Sequence, residues 1–218
     1  MHPLLRTVLV NVFFLFFPVA LYSQSNYEAL KSWDEKTIQS AMSGTDADYL
    51  SSDEKEIIFL CNLARLNGIL FESTFLKQYL DTCKIKYGKK WTTSLKKDLK
   101  ALGKVDPFLP SAELAKEAEK HALDMGRSGK TGHNASHGDK PEKRFAHLEN
   151  NFSEAAENCH YGSKNPLIIV IELLIDDKIK NLGHRKNLLS ANLNRMGVSI
   201  KPHKKYRFNC VMDFGKSK

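Results

Sequence analysis

The 218-residue sequence predicts an α+β domain, because helical patterns fill its first part and a β-hairpin closes it. The hairpin is indicated by alternating apolar and polar residues in segments 195–201 and 206–214, with a turn between them. An apolar helical run, residues 167–175, precedes this hairpin. Helices and strands therefore do not alternate along the chain. This order excludes a continuous βαβ series and favours layers of helices packed on a sheet.

Residues 1–23 have the pattern of a secretory signal peptide. Arg6 is the only Lys, Arg, Asp or Glu among them, an apolar run follows it, and a cut near Ser23 fits the small and polar residues there. The alternative is an uncleaved anchor, although the run is short of the ~20 apolar residues that a span needs. We predict an exported protein, secreted, periplasmic or at the cell surface. A polar segment, 24–50, and one domain, 51–218, would follow.

Local signals place the main helices. Ser51 and Glu54 have the spacing of a capping box, and Gly68 is expected to end that helix in a left-handed conformation. Ser111 is a predicted cap of a helix whose inward stripe contains His121, which we interpret as a core histidine. Asn165 and the proline after it are a typical start for the apolar helix. A brief strand is expected near residue 160.

The cysteines and the charge limit the class of function. In an exported protein the four cysteines can pair in three ways, or remain as buried free thiols, and no CxxC indicates a zinc knuckle. They are Cys61, Cys83, Cys159 and Cys210. The net charge of +8 is spread along the chain without a basic helix interleaved with aromatics. Nucleic-acid binding is therefore not expected, whereas affinity for anionic lipid headgroups or wall polymers is.

The apolar run ends abruptly at Asp176 and Asp177, and a Gly-His-Arg sequence containing His184 follows shortly after. A helix that opens onto a polar cavity would end in this way. The alternative interpretation is a solvated helix end followed by an ordinary loop histidine. His133 and Glu157 also lie at predicted loop positions, so the second half of the chain collects two imidazoles and several carboxylates.

This residue set suits zinc or a related divalent ion completed by water, and it also suits general acid–base chemistry. HExxH, GxSxG and Gly-rich phosphate-loop motifs are absent from the sequence. Ser136 and Cys159 are the candidate nucleophiles, but no neighbouring residue marks either as activated. No catalytic residue is assigned from the sequence.

Residues 51–215 resemble the CAP superfamily of cysteine-rich secretory, antigen 5 and pathogenesis-related proteins, and the bacterial branch in particular. Five short segments carry the resemblance in the family's order. They are the helix 61–67, the loop pattern His133-x4-Gly138-x5-Arg144, Glu157-Asn158, Gly183-His184-Arg185-x-Asn187 with Met196-Gly197-Val198, and Asp213-Phe214-Gly215.

The resemblance implies a three-layer α-β-α sandwich with a small antiparallel sheet. It also implies a cavity tetrad of two histidines and two acids, with the histidines as metal ligands. Carried over by position, the tetrad is His133, Glu157, Asp176 and His184, with Asp177 as the alternative third member. His137 falls outside the family position.

Three features depart from the family. Ala156 stands where a glycine usually precedes the first acid, the third member is Asp rather than Glu, and Leu173 lies near the place of a usual tryptophan. A changed cavity or a weaker metal site would follow from these differences.

Three functions remain open. The first is a non-enzymatic binding module. Its cavity holds a divalent ion, for which zinc is the candidate, beside a groove for a lipid, peptide or wall ligand. The second is a hydrolase, such as a peptidase, that uses a metal- or carboxylate-activated water. The third is a structural or interaction protein in which the tetrad only ties loops together.

Overall fold

The computed structural model describes residues 28–218, so the predicted signal peptide lies outside the described residues. Its α-helices are α1 (Glu35–Ala41), α2 (Ser52–Leu66), α3 (Gly68–Phe71), α4 (Lys77–Thr82), α5 (Lys89–Ala101), α6 (Ala112–Ser128), α7 (Pro141–Phe145), α8 (Pro166–Ile175) and α9 (Gly183–Leu189). A π-helical segment, Glu72–Leu76, joins α3 to α4, and 3₁₀ turns lie at Glu28–Ser32 and Ala146–Leu148. The strands are β1 (Leu109–Pro110), β2 (Phe152–Tyr161), β3 (Arg195–His203) and β4 (Arg207–Ser217).

The four strands form one sheet in the order β1-β3-β4-β2. The predicted hairpin is β3 and β4, and β2 pairs antiparallel with β4 along ten residues rather than as a brief strand. The two-residue β1 pairs parallel with β3, so the sheet is mixed at one edge.

Helices cover both faces of the sheet, which confirms the α+β class. Val211 and Cys159 pack with the alanines of α6 on one face. Cys210, Met212 and Phe214 alternate with Val211 and join the larger core formed with α2 and α8. The approach of α6 to β3 is close, because a Cβ at Gly197 would lie 2.0 Å from the backbone nitrogen of Ala115.

The N-terminus of α2 is capped as predicted, with Ser51 and Glu54 forming a capping box. The expectation for Gly68 was wrong: it begins α3 rather than ending α2 in a left-handed conformation. A Cβ at Gly68 would lie 2.4 Å from the carbonyl oxygen of Leu99, so close helix packing explains this glycine. No single helix among residues 28–218 is long and apolar enough to cross a membrane. The segments 52–66 and 68–82 meet that criterion only as a pair bent by 116°.

Arg65 of α2 is fully buried and connects α2 to two loops. Its guanidinium stacks over the Phe108 ring at 3.7 Å and donates hydrogen bonds to four backbone carbonyls. The acceptors belong to Asp106, Leu188, Ser190 and Leu193. One side chain thus satisfies carbonyl groups that the ends of these loops leave without backbone donors.

All four cysteines are free thiols. Cys61, Cys159 and Cys210 are buried, whereas Cys83 is partly exposed. Of the alternatives left open by the sequence, the structure therefore shows free thiols, three of them buried.

Candidate functional site

His133 and Glu157 form the first of two histidine–carboxylate pairs. His133 lies in the loop between α6 and α7, and its Nδ1 is 2.8 Å from Glu157 Oε1. Glu157 is on β2 rather than in the loop expected from the sequence, and its side chain is 2% exposed, against 45% for His133. The strand therefore holds the carboxylate at the base of the site, and the imidazole lies over it near the surface.

Asp176 and His184 form the second pair. Asp176 ends α8 in a left-handed conformation (φ 55°), which turns its carboxylate toward the start of α9. Oδ2 accepts hydrogen bonds from the backbone N–H groups of His184 (3.0 Å) and Arg185 (3.3 Å), and Oδ1 is 2.7 Å from His184 Nδ1. Asp177 points elsewhere and accepts a hydrogen bond from the Gly88 N–H at 3.1 Å.

The structure brings the two pairs together. The rings of His133 and His184 have centroids 6.4 Å apart and are inclined by 36°. In each ring Nδ1 contacts a carboxylate, and within residues 28–218 Nε2 has no hydrogen-bond partner. Because an Nδ1–H that donates to a carboxylate leaves a lone pair on Nε2, each ring carries one available donor nitrogen.

These donors suit a divalent metal ion. Zinc-binding histidines commonly donate their other N–H to a carboxylate, as both rings do here. With Zn–N bonds of about 2.1 Å, two rings on one tetrahedral zinc have centroids roughly 5 Å apart. The observed separation therefore needs a small approach, which the exposed His133 has room to make. His133 and His184 would hold such an ion, and water would complete its coordination.

Two asparagines connect the halves of the site. Asn158 of β2 donates from Nδ2 to the His184 carbonyl at 3.0 Å, and Asn187 of α9 donates to Asn158 Oδ1 at 2.9 Å. The sequence comparison matched both residues to the family pattern but gave them no role. They fix β2 against α9 and thereby the spacing between the two histidines.

Arg144 of α7 is a site residue that the sequence reasoning missed. Its Nη2 is 2.5 Å from Glu157 Oε2 and donates to the His133 carbonyl at 3.2 Å, with the side chain only 8% exposed. Burial opposes ionisation of Glu157, but the hydrogen bond from His133 and the nearby His121 and Arg144 lower its pKa overall. The only earlier signal was the spacing of Arg144 from His133 in the loop pattern.

Beneath Glu157, facing α6, lies a second group of polar side chains. His121 Nε2 is 2.9 Å from the Gly132 carbonyl oxygen and 3.9 Å from Glu157 Oε1, and Cys159 Sγ is 3.8 Å from His133 Nδ1. Burial lowers the pKa of His121 and raises that of the Cys159 thiol. The expectation of a buried histidine at position 121 is confirmed.

Asp213 of β4 is the strand partner of Glu157 and is completely buried. Within the described residues its carboxylate oxygens have no donor partner. Burial, followed by the negative charge of Glu157, raises the pKa of Asp213 well above its ordinary value. The raised pKa favours the neutral form of Asp213 beside the ionised Glu157.

The candidate nucleophiles are not activated. The Ser136 hydroxyl binds Asp124, away from both histidine pairs, and the raised pKa of Cys159 keeps its thiol protonated. His137 pairs with Asp139 at 3.2 Å and is exposed outside the site.

A groove of about 440 Å³ opens beside His133 between α7 and β2. Phe145, Leu148 and Phe152 give it an apolar floor. Its lining also includes exposed acids, namely Glu142, Glu149 and Glu154.

A small sheet covered by helices on both faces, with two histidine–carboxylate pairs brought together beside it, defines an α-β-α sandwich domain. The sequence pattern of the "Cysteine-rich secretory protein family" (CAP) matches residues 77–214, and the chain belongs to this family. The comparison with curated proteins gave no match.

Solved bacterial structures are similar to the chain at low sequence identity. An extracellular protein containing an SCP domain from Bacillus anthracis is 16% identical, with a TM-score of 0.46 over 76% of this chain and 40% of that one. An outer surface protein of Borrelia burgdorferi is 19% identical, with a TM-score of 0.44 over 59% and 90%. A cysteine-rich secretory protein from Staphylococcus aureus is 14% identical, with a TM-score of 0.38 over 61% and 41%. The chain thus spans less than half the length of the first and third of these proteins.

Proposed function

We propose that this chain is an exported CAP-domain binding protein that holds a divalent metal ion between His133 and His184 and a ligand in the adjacent groove. One observation carries the proposal: both rings engage a carboxylate through Nδ1 and leave Nε2 without a partner in the described part of the chain. Two such nitrogens on rings whose centroids are 6.4 Å apart suit zinc.

The hydrogen bonding of the carboxylates favours binding over hydrolysis. Both oxygens of Glu157 are engaged, one by His133 and the other by Arg144. Both oxygens of Asp176 are likewise engaged, by the His184 ring and by backbone N–H groups. A general base needs a basic oxygen within reach of the attacking water, and every oxygen of these two carboxylates already accepts a hydrogen bond, which makes both carboxylates weaker bases.

The groove favours an apolar or amphipathic ligand. Its floor suits an acyl chain or an apolar peptide side chain, while the glutamates at its edge repel anionic groups. A lipid, a peptide or a wall fragment with cationic or neutral polar groups therefore fits better than an acidic one. Export is part of the proposal and depends on the pattern of Arg6 and the apolar run after it.

Zinc titration calorimetry on the purified protein tests the proposal. We expect micromolar or tighter binding, equivalent to ~8 kcal/mol, and a higher melting temperature with zinc. Both effects should be lost in His133→Ala/His184→Ala and retained in His137→Ala, which removes an exposed histidine outside the site. If the wild-type protein shows neither a heat of zinc binding nor a higher melting temperature with zinc, the two histidine–carboxylate pairs only hold the loops in place.

A further inference from the structure

We propose a second metal position, beneath the first, formed by His121, His133, Glu157 and Cys159. We call it the inner site, and the position between His133 and His184 the outer site. The inner site goes beyond the proposed function because it uses Nδ1 of His133, whereas the outer site uses Nε2. It would bind zinc or another thiophilic divalent ion.

The donor atoms of the inner site converge at the separations that a tetrahedral ion requires. Glu157 Oε1 is 2.8 Å from His133 Nδ1 and 3.9 Å from His121 Nε2, and Cys159 Sγ is 3.8 Å from His133 Nδ1. One ligand atom each from His121, Glu157 and Cys159 lies within 4.8 Å of the other two. Zinc bonds of 2.0–2.3 Å place tetrahedral ligands roughly 3.3–3.6 Å apart, so small shifts suffice.

The fold explains why these residues meet. Glu157 and Cys159 are two apart on β2 and therefore point to the same face of the sheet. That face packs against α6, which contributes His121, and the loop after α6 brings His133 over the strand. Three parts of the chain, namely α6, the loop after it and β2, thus supply the four ligands.

The charges nearby favour a cation. A thiolate from Cys159 and the carboxylate of Glu157 carry two negative charges for one divalent ion, and the positive charge of Arg144 beside Glu157 is also paired with Glu117 at 3.7 Å. This balance matters because unbalanced buried charge is costly. Arg144 occupies Oε2 of Glu157 and leaves Oε1 facing His121 and His133. Asp213, the strand partner of Glu157, adds a buried carboxyl whose oxygens no donor in the described region contacts.

The protons balance as follows. Zinc displaces the thiol proton of Cys159, which leaves as H⁺ to the solvent, and Glu157 is already ionised. The imidazole protons of His121 and His133 move to the nitrogens that do not bind the ion. His121 thereby gives up its contact with the Gly132 carbonyl. Because His133 would then carry its proton on Nε2, it cannot serve both sites, and one ion is bound at a time.

Cobalt substitution tests the inner site by its sulfur ligand. With Co²⁺ as the probe, we expect a thiolate-to-cobalt charge-transfer band in the wild-type protein and in His184→Ala, which removes only the outer site. The band should disappear in Cys159→Ala and persist in the matched control Cys83→Ala, a partly exposed thiol outside the site. Absence of the band in the wild-type protein, or its loss in Cys83→Ala but not in Cys159→Ala, would overturn the inner site.

A measurement on the unmodified protein guards against a Cys159 variant that does not fold. Zinc-edge X-ray absorption should show one sulfur neighbour at about 2.3 Å. Bound zinc with nitrogen and oxygen neighbours only would overturn the inner site and leave the outer site standing. A sulfur neighbour that persists in His184→Ala would support the inner site against the outer one. Absence of bound zinc and of bound cobalt would overturn both.

Discussion

The two histidine–carboxylate pairs are alike in contact distance but differ in what surrounds them. Asp176 and His184 are eight residues apart, and backbone N–H groups of α9 complete the contacts of the carboxylate. His133 and Glu157 are 24 residues apart, and the contacts of Glu157 are completed by the side chain of Arg144 from a third element. One pair is a product of local chain geometry and the other of tertiary packing.

This difference indicates which of the two histidine side chains can move more easily. The His184 side chain is 22% exposed and is held at both ring and backbone by Asp176, whereas His133 is 45% exposed and its carboxylate depends on side chains. A ligand that needs the rings closer together would therefore move His133 rather than His184. Four substitutions sharpen this comparison.

The largest effect is expected for Glu157→Gln. Arg144 is 8% exposed and would lose its contact with Glu157, keeping only the longer ion pair with Glu117 at 3.7 Å, so we expect a loss of about 3 kcal/mol in the free energy of unfolding. Urea denaturation at neutral pH measures it. The double variant Arg144→Met/Glu157→Gln should recover part of the loss, and an equal or larger loss in the double variant would contradict this account.

Asp213→Asn is expected to stabilise the protein at neutral pH by about 1–3 kcal/mol, because it removes a buried ionisable group that lacks partners. The pKa of Asp213 is raised in the folded state, so wild-type stability falls as pH rises from the unfolded-state pKa through the folded-state pKa. The gain should therefore vanish in acid, below the unfolded-state pKa. Unfolding at a series of pH values checks the sign, and a gain independent of pH would contradict it.

Asp176→Asn should cost about 1–2 kcal/mol, less than Glu157→Gln, because an amide oxygen can still accept from the α9 backbone and no buried charge is left unpaired. The matched control is Asp177→Asn, whose carboxylate accepts from the exposed Gly88 N–H and lies 3.9 Å from Nζ of the exposed Lys178, and we expect a change within about 0.5 kcal/mol. Equal effects of the two variants in thermal unfolding would mean that the second pair is not anchored as described.

The smallest expected effect is that of Asn187→Ala, which removes two hydrogen bonds from α9 to β2, one to Asn158 Oδ1 at 2.9 Å and a longer one to the Glu157 carbonyl at 3.4 Å. We expect a loss of about 0.5–1.5 kcal/mol in stability. Zinc affinity should fall together with stability, because the spacing of the two histidines depends on this link. Unchanged calorimetry would show that the Asn158 contact with the His184 carbonyl is sufficient on its own.

The features that were predicted correctly from the sequence are those that depend on neighbouring residues. A few adjacent residues determine each of three features: the capping box at Ser51, the start of α8 at Asn165 and the abrupt end of the apolar run at Asp176. The distant members His133 and Glu157 were collected from the sequence only as part of a set of loop histidines and acids, and their place in a tetrad came from the family resemblance. Their Nδ1 contact joins a loop to a strand, and no spacing rule specifies it.

The missed features depend on tertiary pairing. Arg144, Asp213 and Cys159 join the site through the register of β2 with β4 and the position of α7, which the sequence does not reveal. The β2 strand was predicted too short, because its first half is polar and small and lacks clear alternation, so pairing with β4 rather than propensity forms it. The role of Gly68 was misinterpreted because a glycine is required there by close contact with Leu99, about thirty residues away in the sequence.

The contacts of Arg65 indicate that the unit that folds begins before the residues matched by the family pattern. The family pattern begins at residue 77, but Arg65 holds carbonyls at Asp106 and at three positions that follow His184. A chain shortened to residue 77 would lose the donor to all four and expose the apolar faces of α8 and the sheet that α2 covers. We expect such a fragment to aggregate, so the residues matched by the family pattern would not fold without the helices before them.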